Sequence, residues 1–100
     1  MNELVIPPAA HRDADSLELM RAWVAEKGLH CSLNIGLYDG QRVPEERAWG
    51  IILADAARHI ANALASSAGR DRDRALREIR RTFEAELDGP TSDVRGGFVE

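Results

Sequence analysis

Leu29-His30-Cys31-Ser32-Leu33-Asn34-Ile35-Gly36-Leu37-Tyr38 is the stretch on which the fold turns. Leu29, Cys31, Leu33, Ile35 and Leu37 alternate with His30, Ser32, Asn34, Gly36 and Tyr38. A period of two over the whole stretch predicts a strand with one apolar and one polar face. Such a strand belongs to an antiparallel sheet with one side open to solvent or to a partner. Asp39-Gly40 follows as a hairpin-type turn, and Gln41–Val43 could return as a short strand.

Helical patterns flank this strand. Upstream, Asp13 or Ser16 can cap a first helix, and Leu17, Met20 and Val24 recur at helical spacing. Lys27 then falls in its last turn and Gly28 at its C-cap. Downstream, Pro44 suits the start of a second helix running to about Ser67, with Gly69 beyond its end. Stepping 100° per residue puts Trp49, Ile52, Leu53, Ile60 and Leu64 on a bulky arc. Gly50, Ala54, Ala57, Ala61 and Ala65 form a seam of small residues beside it. Ile51 falls among polar neighbours. A third helix covers about Asp71–Leu87, with an apolar stripe of Leu76, Ile79, Phe83 and Leu87. Asp73–Arg77, Arg74–Glu78 and Arg80–Glu84 are opposite charges four residues apart on it.

The resulting expectation is an α+β fold, with three helices packed on a small antiparallel sheet centred on residues 29–38 and completed or extended in a dimer. Residues 1–12 read as an N-terminal arm, in which Leu4-Val5-Ile6 could form a short strand. Residues 13–88 read as one compact domain, and residues 89–100 as a flexible tail.

Composition narrows the chemistry. The 100 residues are 44% hydrophobic, but fifteen of them are alanine and five are aromatic. Bulky core material is therefore scarce, and a second subunit would supply what is missing. No apolar run approaches a bilayer span. Cys31 is the single cysteine, which excludes a disulfide scaffold and suits a reducing cytoplasm. The net charge of −4 argues against nucleic acid and against anionic membranes as general partners.

Several residue groups could carry chemistry. His30 and Ser32 resemble a base and nucleophile, but residues two apart on a strand lie roughly 6.5–7 Å apart, beyond hydrogen-bond reach. Asp55 and His59 stand one helical turn apart, too few ligands for a metal without distant help. Arg70, Arg72, Arg74, Arg77, Arg80 and Arg81 form a basic cluster interleaved with Asp71, Asp73 and Glu78, which reads as a solvated, internally paired face. The seam of Gly50, Ala54, Ala57 and Ala61 would accept either the chain's own helices or a helix across a two-fold axis, where Ile51 would also be covered.

The stretch from Ala48 to Ala61, with its Trp49-Gly50, Asp55 and Arg58-His59, resembles a family of uncharacterised alphaproteobacterial proteins of similar length, a domain of unknown function. The resemblance implies a compact, dimeric α/β or α+β domain, and no activity, cofactor or catalytic residue comes with it.

The favoured function is a non-enzymatic binding or scaffolding module acting as a cytoplasmic homodimer, with a further protein partner and no cofactor. The alternative is a ligand-binding enzyme or sensor whose site, at a dimer cleft, draws on His30, Asn34, Tyr38, Asp55, Arg58 and His59. A third reading is a weak nucleic-acid binder acting through the 70–81 arginine cluster.

Overall fold

The computed structural model describes residues 3–100 and is α+β, with three helices and a three-stranded sheet. The elements in chain order are α1 (Pro8–Arg12), β1 (Met20–Ala25), β2 (Gly28–Asn34), α2 (Glu45–Ala68), α3 (Arg72–Asp88) and β3 (Val94–Val99). They divide between two compact units. One runs through Ile35 and adds Val94–Glu100; the other is Gly36–Asp93.

The first unit is the sheet, in the order β1-β2-β3. β1 and β2 are antiparallel, whereas β3 lies parallel to β2, so the sheet is mixed rather than antiparallel. The helix expected over residues 13–27 is instead a turn and irregular segment over 13–19 followed by β1 and its hairpin turn, while a short helix, α1, forms upstream of it. Two local causes redirect the chain. Ser16 N–H donates to the Asp13 carbonyl (3.1 Å) and Asp15 N–H to the Asp13 carboxylate (2.9 Å), so both expected caps close a turn after α1. Then Glu26 and Lys27 both adopt positive φ, 51° and 65°, as a two-residue type I′ hairpin requires. Gly28 thus opens β2 and caps no helix.

Register places Val24, Leu29 and Val94 in one row across the sheet, and Met20, Leu33 and Phe98 in another. These rows share the apolar face, with Ala22, Cys31 and Gly96 between them. Val24 is 82% exposed and Phe98 64%.

Residues 94–99, read as part of a mobile tail, form β3. Their contact with β2 is close at Gly96, where φ is 132° and an added Cβ would collide with the Cys31 carbonyl. Leu4–Ile6 and Gln41–Val43 form no strand, and the strand read over 29–38 ends at Asn34.

The second unit is a helical hairpin of α2 and α3. Pro44 precedes α2, Glu45 and Glu46 occupy its first turn, and Gly69 ends it in the left-handed conformation. Asp71 caps α3 by accepting the Arg74 N–H at 2.9 Å. Ala48 and Ala61 are the buried apolar residues among those described, and Ala61 is completely inaccessible. The expected pairs four residues apart on α3 are replaced by Arg81–Glu78 (2.7 Å) and Arg72–Asp73 (3.0 Å).

Candidate functional site

The two units divide the expected site residues between them. His30 and Asn34 are half-buried on β2, on the face opposite Leu29 and Leu33. Register sets His30 between Trp23 on β1 and Arg95 on β3, and Ser32 between Arg21 and Gly97. His30 therefore stands between an indole and a guanidinium, in a row with no carboxylate partner to make it a base. Arg21 is held by Glu18 through two guanidinium nitrogens, at 3.0–3.3 Å.

Tyr38, Asp55, Arg58 and His59 belong to the helical unit. Asp55 and Arg58 form an exposed ion pair one turn apart on α2, and His59 is exposed beside them. Tyr38 lies at the other end of that helix, where its backbone N–H donates to Glu45. Ten residues separate Glu45 from Asp55, about 15 Å along the axis. Tyr38 thus belongs to a different local structure from the Asp55–Arg58 pair.

That structure was not anticipated, and it is the best-organised polar arrangement in this unit. The Glu45 carboxylate accepts from Gly36 N–H (2.8 Å), Tyr38 N–H (2.9 Å) and Trp49 Nε1–H (3.3 Å). The Gly36 and Tyr38 hydrogen bonds, followed by that from Trp49, hold its pKa below the ordinary value. One side chain thereby fixes the 36–38 turn to the start of α2. The sequence signal was the Glu45–Trp49 spacing of four. A second clamp follows α3, where Glu86 accepts the Thr91 N–H and hydroxyl at 3.0 and 2.9 Å and is likewise shifted down, mainly by the backbone donor.

The small-residue seam divides. Ala61 is buried, Ala57 is half-buried, and Gly50, Ile51 and Ala54 remain exposed, with Ile51 at 50%. Its C-terminal half is consumed inside the protomer and its N-terminal half stays open. Leu53, Ile60 and Phe83 add further exposed apolar surface to the hairpin.

The third reading concerned the arginines. Arg70, Arg74, Arg77 and Arg81 line one open trough with Leu64 and Ile79. No group of three or more metal-ligating side chains occurs among the described residues. No described helix is long and apolar enough to cross a membrane.

A family model described as a domain of unknown function (DUF5076) matches residues 3–91. A solved structure described as "a putative pyruvate dehydrogenase from the photosynthetic bacterium Rhodopseudomonas palustrus" is 33% identical. The match covers 93% of this chain and 90% of that one, with a TM-score of 0.66. No match was found among curated proteins.

Proposed function

We propose that this protein, which belongs to the family described as a domain of unknown function (DUF5076), is a cytoplasmic, non-enzymatic binding or scaffolding module that works as a homodimer. The observation that carries the reading is an area. The chain exposes 8757 Å². Two separate closed globules of the sizes of its two units would together expose roughly 6,800 Å². The excess of about 2,000 Å² per chain exceeds the roughly 800 Å² that each partner buries in a standard interface. It reaches the range of obligate dimers, whose interfaces resemble a domain core cut in half.

The exposed residues fit that role. Gly50, Ile51 and Ala54 offer a flat, close-approach surface on α2, and a second helical hairpin set against it would complete a four-helix arrangement. Ile51→Asp is the direct test. It should convert a dimeric species to a monomer in sedimentation equilibrium, while alanine at His30, Ser32 or His59 leaves the dimer intact. A dimer indifferent to Ile51→Asp would remove this surface from the account.

The name of the structural relative favours one other reading, an enzyme acting on a small acid. General acid–base chemistry at neutral pH needs a carboxyl raised toward neutrality or a comparable proton carrier. Glu45, Glu78 and Glu86 are all moved the other way, by hydrogen bonds to their charged forms. A rise in melting temperature with pyruvate that His30→Ala abolishes would favour the enzymatic reading.

A further inference from the structure

The arginine trough of α3 has an organisation that the dimer does not use. Arg74, Arg77 and Arg81 recur at spacings of three and four, which confines them to an arc of about 60°. Arg70 lies just before the Asp71 cap and lines the same trough, and Arg74 to Arg81 spans about 10 Å along the helix axis. Leu76, Ile79, Phe83 and Leu87 occupy the opposite side of the helix.

Two acidic side chains share the trough, and both are engaged. Asp71 accepts the Arg74 backbone N–H, and Glu78 is held by Arg81 at 2.7–3.2 Å. Arg70, Arg74 and Arg77 make no ion pair among the described residues. Leu64 of α2 and Ile79 of the apolar stripe of α3 border the trough on the side away from the guanidinium arc. The positive end of the α3 macrodipole lies at the Arg70–Arg74 end of the row.

We propose that this trough is a docking groove for an acidic amphipathic helix of a partner protein. The proposal rests on the reading of the chain as a binding module and names the chemistry of what it binds. Carboxylates at a matching helical spacing would meet the guanidiniums in paired hydrogen bonds, and leucines along the flank of the docked helix facing α2 would cover Leu64 and Ile79. The apolar side chains that border the trough favour a peptide over a nucleic-acid backbone.

The test uses the full chain and fluorescence anisotropy. The probe is a labelled helical peptide of about twelve residues, with glutamates at matching spacing and leucines along one flank. Saturable binding is expected. It should weaken at least about tenfold when the glutamates become glutamines, or when the protein carries Arg74→Gln with Arg77→Gln. Circular dichroism of that double variant should match the parent. Equal binding of the glutamine peptide, equal binding by the double variant, no saturable binding at all, or tighter binding of a single-stranded oligonucleotide would each overturn the proposal. Sedimentation of the same samples reads the dimer separately. A monomer that binds the peptide keeps the groove and removes the dimer, and a dimer that ignores the peptide removes the groove alone.

Discussion

Gly96→Ala should detach β3 from the sheet. Gly96 pairs with Cys31 at φ 132°, a conformation that side chains rarely adopt. A methyl group there would overlap the Cys31 carbonyl oxygen and would stand 2.8 Å from its carbon and 3.0 Å from the Cys31 nitrogen. All three are backbone atoms, so no side chain can swing aside. The conformational penalty alone is about 1–3 kcal/mol, and the overlap forces β3 away from β2 as well. A loss of about 2 kcal/mol lowers the melting temperature by roughly 8–16 °C in a chain of this size. Gly97→Ala is the matched control, because a Cβ on Gly97 meets nothing within 4 Å. Thermal melts of both variants give the difference, and amide exchange localises it. Peptides covering Cys31–Asn34 should exchange faster in Gly96→Ala and at the parent rate in Gly97→Ala. Equal melting temperatures for the two variants would refute the parallel pairing as drawn.

Two other outcomes follow from the caps and clamps. Asp71→Ala should cost about 0.5–2 kcal/mol through loss of the α3 cap, read as a lower urea midpoint. Glu45, Glu78 and Glu86 have folded-state pKa values below their ordinary 4.5. Their stabilisation is therefore complete above that value and is lost as pH falls through the folded values. A urea midpoint followed downward from pH 7 should stay level and then drop in acid, and Glu45→Gln should lower the neutral midpoint while flattening the acid drop.

The helical unit was legible in the sequence because its signals are local. Pro44, Gly69 and Asp71 mark ends that the structure keeps within about a residue. The core of β2 was equally legible from its alternation. β1 was not, because Leu17, Met20 and Val24 fit a helical period as well as Met20, Ala22 and Val24 fit a strand. What decides between them is the Glu26-Lys27 turn, and neither residue type advertises positive φ. β3 was hidden for a related reason. Gly96 and Gly97 read as flexibility, whereas Gly96 is what allows the close approach to Cys31. Of the candidate site residues, Asp55 takes Arg58 as its partner, whereas its spacing had singled out His59. Glu45 was missed because its partners are two backbone N–H groups, which no residue pattern displays.

The mass in solution tests the central claim most directly. Sedimentation equilibrium at micromolar concentration should give about twice the 11.0 kDa of one chain. The about 2,000 Å² of excess surface would then be closed between copies. A single species of 11.0 kDa would contradict the account.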